Sequence, residues 1–255
     1  MTLISAYFTT QMPPICHCEE PPKGGDVVIR SPCNAQHCAG HKPAIFQFTQ
    51  SDKLKFERLG TSMKKLLITG FEPFGGADEN PSWLAVQDLP DRVGSYALCK
   101  LKLPTIFGQA AKMVLERAAE CCPDMIICVG VAAGRDAVTP ERIAVNIRDA
   151  RIADNAGNQP RGEFVAVDGP AAYFSTLPVA AMAQAIRDAH IPATVSNSAG
   201  AYVCNDVMYS VLHHCAGTSV RAGFIHVPQL PQQGQPSMTL EQTISALEIA
   251  VLACE

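Results

Sequence analysis

The sequence lacks a long hydrophobic run and an excess of either charge, and both absences narrow the function. In 255 residues no apolar stretch reaches the roughly 18 residues that a membrane-spanning helix needs. The N-terminus has no basic start followed by an apolar core, as a secretory signal would. The net charge of −4 and the pI near 6.0 provide no basic surface for nucleic acid. We therefore expect a cytoplasmic protein that binds neither membranes nor nucleic acids.

A regular disulfide framework is also missing, although cysteine is abundant. The 11 cysteines are odd in number and irregularly spaced, and several lie inside apolar runs, such as Cys128 in DMIICVGV. Buried thiols in a reducing compartment account for this distribution. Because 47% of the residues are hydrophobic, the chain has enough apolar side chains for a sizeable core without disulfides or metal ions.

The composition changes sharply near Met63. Residues 1–62 are rich in proline, glycine and polar side chains without a periodic apolar pattern. This predicts an N-terminal extension that is disordered or not needed for the fold. A structural zinc site in this segment is the alternative, although the spacing of the candidate ligands does not follow the usual paired pattern. Those candidates are Cys16, His17, Cys18, Cys33, His37, Cys38 and His41.

From Met63 to the C-terminus, apolar runs alternate with helical patterns. Strands are predicted at LLIT, MIICVGV, IPATVSNS and RAGFIHVP, and helices at IFGQAAKMVLERAAECC, LPVAAMAQAIRDAH and YVCNDVMYSVLHHC. A last helix begins at Thr239, with Gln242 at capping-box spacing. Because buried parallel strands are continuously apolar, residues 63–255 are predicted to form a single α/β domain. We expect a mostly parallel, twisted sheet with helices on both faces.

Cys204 is the best candidate for a nucleophile. It follows the small-residue loop SNSAGAY and stands at the predicted start of a helix. Free backbone N–H groups and the helix dipole lower the pKa of a thiol at such a position. The same N–H groups could stabilise an oxyanion. The alternative is a buried thiol on an apolar helix face.

His226, near the end of a predicted strand, is a candidate general base. Ligand sites in open parallel sheets form just outside the carboxyl ends of the strands. A hydrogen-bonded core histidine is the alternative. The segment GRDAVTPERIAVNIRDARIADNAGNQP contains several carboxylates, so spacing alone cannot identify the acid that would orient the histidine. The segment is interpreted either as part of a site or as a solvated surface loop.

Phe71 and Phe74 lie in the turn FEPFGG after the first strand. Two aromatic rings there can clamp a flat apolar ligand or simply close the core. The turn lacks both the G-x-G-x-x-G pattern and the G-K-[ST] ending of nucleotide-binding loops. A nucleotide site is therefore not favoured.

Together, five separated motifs resemble those of the pyroglutamyl peptidase I family, also called pyrrolidone-carboxylate peptidases. They are LLITGFEPFGG with NPSW, GRDAVTPERIAVNIRDARIADNAG, DGPAAYFSTLP, SNSAGAYVCNDVMY and GFIHVPQLPQQ, in the family's order. The resemblance implies a cysteine peptidase that hydrolyses the bond after an N-terminal pyroglutamyl residue through a thioester acyl-enzyme. It implies no metal or organic cofactor, peptide substrates with N-terminal pyroglutamate, and a homo-oligomer, often a tetramer.

Carried over residue by residue, the resemblance implies a triad of Cys204, His226 and Glu141. It also implies that Arg151 lies near the thiol and assists the oxyanion. The pyroglutamyl ring would be bound by an apolar set formed by Phe71, Phe74, Ile152, Tyr202 and Val203.

Two departures from the family pattern concern the pocket and leave the triad intact. Val131 and Ala133 stand where many relatives have glutamine and glycine, and Tyr202 stands where phenylalanine is common. A catalytically silent module that binds pyroglutamyl or otherwise blocked peptide N-termini is the alternative function. The intact triad motifs count against it, because a silent relative would need none of the three.

Overall fold

A six-stranded sheet forms the centre of the protein. The computed structural model describes residues 63–255; the predicted N-terminal extension and its zinc-ligand candidates lie outside the described residues. The strands of this sheet are β1 Lys64–Phe71, β2 Arg92–Val93, β3 Tyr96–Leu103, β4 Met125–Val131, β5 Thr139–Glu141 and β10 Arg221–Val227. They follow the order β2-β3-β1-β4-β10-β5, in which β1, β3, β4 and β10 are parallel and the two edge strands are antiparallel. The predicted, mostly parallel α/β sheet is thus confirmed.

Two short antiparallel ribbons lie outside this sheet. One pairs β6 (Ile143–Val145) with β9 (Ala172–Phe174), and the other pairs β7 (Arg148–Asp149) with β8 (Arg161–Glu163). The first strand of each ribbon belongs to the charged segment singled out in the sequence. That segment is therefore locally structured.

Helices cover both faces of the sheet, as predicted. Alternation along β1 places Leu66 and Ile68 in one apolar core and Leu67 in another. The helices are α1 Pro81–Asp88, α2 Gln109–Cys121, α3 Val179–Asp188, α4 Val203–Cys215 and α5 Leu240–Leu252. The first core also receives side chains from α1, α3 and α5, and the second from α2 and α4. None of the helices between residues 63 and 255 has the length and apolar character needed to cross a bilayer.

The start of α5 confirms the predicted capping box. Thr239 Oγ1 accepts a hydrogen bond from the backbone N–H of Gln242, and the Gln242 side chain accepts one from the backbone N–H of Thr239. These two bonds satisfy donors that would otherwise be unpaired at the helix start.

The prediction of a regular strand over IPATVSNS was wrong. The segment runs beside β5, but only two isolated parallel bridges form, from Val138 to Ala193 and from Glu141 to Ser196. Pro140 lies between those bridges and has no backbone N–H, so it cannot donate to the neighbouring segment and the ladder is interrupted. The chain therefore leaves the sheet edge as a loop that leads to α4.

Candidate active site

Glu141 and His226 form a buried, hydrogen-bonded pair. His226 Nδ1 lies 2.7 Å from Glu141 Oε1, and neither side chain is more than 5% exposed. They meet because β5 pairs antiparallel with β10, which places Glu141 opposite Phe224 and Thr139 opposite His226. Since Nδ1 faces the carboxylate, Nε2 is the ring nitrogen available to exchange a proton with a nucleophile.

Cys204 approaches the same face of the sheet from α4. Its position relative to His226 follows from Gly130 in β4, which is the register partner of His226 in β10. A β-carbon built on Gly130 would lie 3.0 Å from Cys204 Sγ. Paired positions in a parallel sheet present their side chains on the same face, so the sulfur lies against the position next to His226. The fold thus brings all three predicted triad residues to one face.

The first turn of α4 is anchored by two buried polar residues that follow Cys204. Asn205 accepts a hydrogen bond from the backbone N–H of Val145 at 2.9 Å and donates one back to its carbonyl at 2.8 Å. Asp206 accepts from the backbone N–H of Gly108 at 2.8 Å and from Arg148 Nε at 2.6 Å. These contacts fix the position of Cys204, the predicted nucleophile. Sequence reasoning missed them, although a polar pair inside an apolar helix pattern is a usable signal.

The site holds its thiol and imidazole in their uncharged forms. Burial raises the pKa of Cys204 to about 12, and the nearby Glu141 charge adds to this effect, so the lowering predicted from its place at a helix start was wrong. Burial lowers the pKa of His226 below its ordinary value, although the hydrogen bond and charge of Glu141 oppose that shift. Burial alone would raise the pKa of Glu141, but the interactions with His226, Ser196 and Arg135 together outweigh burial and lower it. The arrangement suits proton transfer from thiol to imidazole during attack rather than a resting ion pair.

Arg135 also contacts Glu141, the predicted triad acid, and sequence reasoning had not singled out this arginine. Its Nη1 donates to Glu141 Oε1 at 2.6 Å. The signal was present, because Arg135 lies in the charged segment interpreted as part of a site, but spacing could not choose among that segment's charges.

The predicted pocket residues are distributed between the core and the surface. Phe71 is nearly buried, and its ring centroid lies 6.4 Å from that of Phe224. Phe74 is half-buried and packs against Tyr202, with centroids 5.4 Å apart. Val203 is fully buried in the core, whereas Ile152 is 57% exposed. The structure therefore brings Phe74 and Tyr202 together, and Phe71 lies deeper.

A third ring, Phe107, joins this group and was not predicted. It meets Tyr202 edge-on, with centroids 5.1 Å apart and an interplanar angle of 80°. The Tyr202 hydroxyl donates to the carbonyl of Ala153 at 3.0 Å. The additional hydroxyl at position 202 therefore binds the neighbouring loop.

Arg151 lies on the surface beyond β7. Its backbone carbonyl accepts a hydrogen bond from Gln159 Nε2 at 2.8 Å. Within residues 63–255, its guanidinium makes no hydrogen bond or ion pair. The Arg151 side chain is therefore exposed, and its role in stabilising an oxyanion stays a prediction.

Comparison with known proteins gives consistent results. The family described as pyroglutamyl peptidase matches residues 64–255. The pyrrolidone-carboxylate peptidase of Vibrio vulnificus is 45% identical over 197 residues, which is 75% of this chain and 93% of that protein. The enzyme of the same name from Levilactobacillus brevis is 48% identical over 196 residues, 74% of this chain and 96% of that protein.

Solved structures are similar over the same part of the chain. Pyroglutamyl peptidase I from Bacillus amyloliquefaciens superposes with a TM-score of 0.73 at 42% identity, covering 75% of this chain and 96% of that one. Pyrrolidone carboxyl peptidase from Thermococcus litoralis gives a TM-score of 0.73 at 43% identity, covering 75% and 93%.

Proposed function

The chain belongs to the pyroglutamyl peptidase family, and from that membership we propose that it is a cysteine peptidase removing N-terminal pyroglutamate from peptides. One observation of the structure carries the proposal most directly. The Glu141–His226 pair is buried on the sheet face against which Cys204 Sγ lies. A module that only binds blocked N-termini has no need of this nucleophile, base and acid arrangement.

The reaction follows from the groups present. Cys204 Sγ attacks the carbonyl carbon that joins pyroglutamate to the next residue, and its proton passes to His226 Nε2. The free N–H groups at the start of α4 can stabilise the resulting oxyanion, with Arg151 assisting. His226 then protonates the departing amine, the C–N bond breaks, and a thioester remains.

Hydrolysis of the thioester restores the enzyme. A water molecule gives a proton to His226 and attacks the thioester carbonyl, and pyroglutamic acid leaves as the sulfur recovers its proton. Glu141 holds the imidazole in one tautomer and orientation throughout both steps, because its hydrogen bond fixes Nδ1 as the protonated nitrogen.

The pocket chemistry supports a neutral, flat lactam as the group recognised. Phe74 and Tyr202 provide partly exposed aromatic surface and Ile152 provides aliphatic surface, while Phe71 and Val203 belong to the apolar core against which Tyr202 packs. None of these side chains carries a charge, so a charged ring would lose its hydration without gaining a partner there. Pyroglutamate fits this description, whereas proline with a free, charged amine does not.

A matched pair of substrates tests the function. We expect the full chain to release coumarin from a pyroglutamyl-coumarin amide, and to process the prolyl-coumarin amide about 10³-fold more slowly or worse, because that ring lacks the lactam carbonyl and carries a charge. Mass spectrometry should show that 2-pyrrolidone slows iodoacetamide labelling of Cys204. Binding of a pyroglutamyl peptide without coumarin release would instead favour the silent binding module.

Family resemblance further supports a cytoplasmic homo-oligomer, a tetramer, that acts without membrane or nucleic-acid partners. Three large apolar side chains between β8 and the end of β9 are exposed: Phe164, Val167 and Phe174 are 65%, 83% and 68% accessible. Grouped exposed apolar residues favour burial in a protein interface. We expect sedimentation equilibrium of the full chain to give four times the 27.3 kDa chain mass; a monomer mass across the concentration range would contradict this assembly.

A further inference from the structure

Arg135 contacts three residues of the candidate active site, two in β5 and one in the loop before α4. It lies in the loop between β4 and β5, and its Nη1 donates to Glu141 Oε1 at 2.6 Å and to Thr139 Oγ1 at 2.5 Å. Its Nη2 donates to the carbonyl of Ser198 at 3.3 Å, in the loop that leads to Cys204. The planar fork of a guanidinium allows these contacts at once, which a single ammonium group cannot reproduce.

The Glu141 carboxylate is held through one oxygen only. Oε1 accepts a hydrogen bond from Arg135 Nη1 at 2.6 Å and another from His226 Nδ1 at 2.7 Å. Oε2 is buried and has no hydrogen-bond partner in residues 63–255. A carboxylate that is 0% exposed is costly to keep charged without a cation beside it. Arg135 supplies that cation, so it fixes both the charge and the orientation of the acid that orients His226.

The contact with Thr139 extends this support to the base. Thr139 Oγ1 accepts from Arg135 and itself lies 3.4 Å from the backbone carbonyl of His226, to which it donates. Thr139 is also the register partner of His226 between β5 and β10. Arg135 is therefore linked to the base through the acid on one side and through the strand backbone on the other.

The charged and titratable groups around His226 come from three elements. β5 presents Glu141, the preceding loop presents Arg135, and α4 presents the Cys204 thiol, whereas β4 presents Gly130 at the paired position. The positive charge of Arg135 lowers the pKa of His226 and also that of Cys204. Arg135 therefore opposes the effect of the Glu141 carboxylate on the pKa of His226. It also makes the proton of the Cys204 thiol easier to remove.

From these contacts we propose that Arg135 is a positioning residue for the peptidase reaction, which ties Glu141, and through it His226, to the loop that delivers Cys204. The inference rests on the proposed function. Arg135 acts through Glu141, a role distinct from that predicted for Arg151 at the oxyanion.

Replacing Arg135 with glutamine should separate this role from simple stabilisation. We expect kcat to fall about 10- to 100-fold while KM stays nearly constant, because misplaced catalytic groups slow the chemical step without removing the pocket. The acid limb of kcat/KM should move to higher pH, since losing the positive charge raises the pKa of His226. Arg135→Lys keeps the charge but not the fork, so it should restore the acid limb and only part of kcat.

Arg142 provides the matched control. It follows Glu141 directly, is exposed, and donates through Nη1 to Asn197 Oδ1 at 2.8 Å, in the same loop that Arg135 reaches. Arg142→Gln should therefore keep both kcat and the acid limb. Equal losses in the two variants, or a lowered Tm in Arg135→Gln with an unmoved acid limb, would overturn the positioning role.

An NMR titration keeps this inference separate from the proposed function. The His226 ring signals, assigned by their loss in His226→Gln, should titrate at higher pH in Arg135→Gln than in the wild type. This shift is expected whether or not a coumarin substrate is cleaved. Absence of cleavage by the wild type would refute the function, and an unshifted His226 titration would refute the coupling to Arg135.

Discussion

Replacing Cys204 with alanine is expected to lower kcat/KM for a pyroglutamyl-coumarin amide by about 10⁴-fold or more. Without the sulfur no thioester can form. The remaining groups can then only bind the substrate and stabilise an oxyanion formed by the attack of water. Because the change removes one half-buried sulfur and leaves the anchoring contacts of Asn205 and Asp206 in place, the thermal midpoint should change little.

The matched control lies on the same helix. Cys215 ends α4 and is buried, so Cys215→Ala should cost roughly 1 kcal/mol of stability and leave kcat/KM nearly unchanged. Steady-state kinetics and thermal unfolding of the two variants measure both effects. Retained turnover in Cys204→Ala would remove this residue from the reaction, and a common loss in both variants would indicate damage to the helix.

Replacing Glu141 with glutamine is expected to lower kcat by about 10²- to 10⁴-fold with a small change in KM, because an amide neither enforces the imidazole tautomer nor stabilises the imidazolium. The pH dependence should change as well. His226 works as a base when neutral, and its lowered pKa sets the acid limb below its usual value near 6.5. The carboxylate raises that pKa, so its removal should shift the acid limb to still lower pH.

Glu72 offers a carboxylate for comparison. It lies in the FEPFGG turn and accepts hydrogen bonds from Asn155 at 2.9 Å and from the backbone of Thr105 at 3.3 Å. Glu72→Gln should alter substrate binding without moving the acid limb. An unchanged kcat in Glu141→Gln, or an acid limb that rises instead of falling, would contradict the assignment of Glu141 as the orienting acid.

The α/β architecture could be predicted because it depends on local patterns. The runs that became β1, β4 and β10 are continuously apolar, and α5 carries its own capping box. Several elements were missed, among them β3 and α1. β3 mixes lysines and cysteine with apolar residues because its side chains are mostly half-buried. α1 is only eight residues long, yet its start was signalled by Asn80 as N-cap followed by Pro81.

The site could be predicted only in part from the residues themselves. Position alone made Cys204 and His226 candidates and left their structural alternatives open, and the family resemblance that selected Glu141 is confirmed by the match over residues 64–255. No local pattern selects Glu141, because it meets His226 only through pairing of strands 85 residues apart. The same holds for Arg135. Contacts of this kind depend on which strand occupies the sheet edge, and hydrophobic periodicity carries no information on that choice.

The raised pKa of Cys204 has a consequence for the lifetime of the enzyme. Peroxides oxidise thiolates, and the susceptibility of a cysteine follows its thiolate content and its accessibility. With a pKa near 12 and a half-buried sulfur, Cys204 is almost entirely a neutral thiol between turnovers. In the proposed mechanism its nucleophilic form arises only as His226 takes the proton in the presence of a substrate carbonyl. We therefore expect the resting enzyme to lose activity only slowly through oxidation of Cys204.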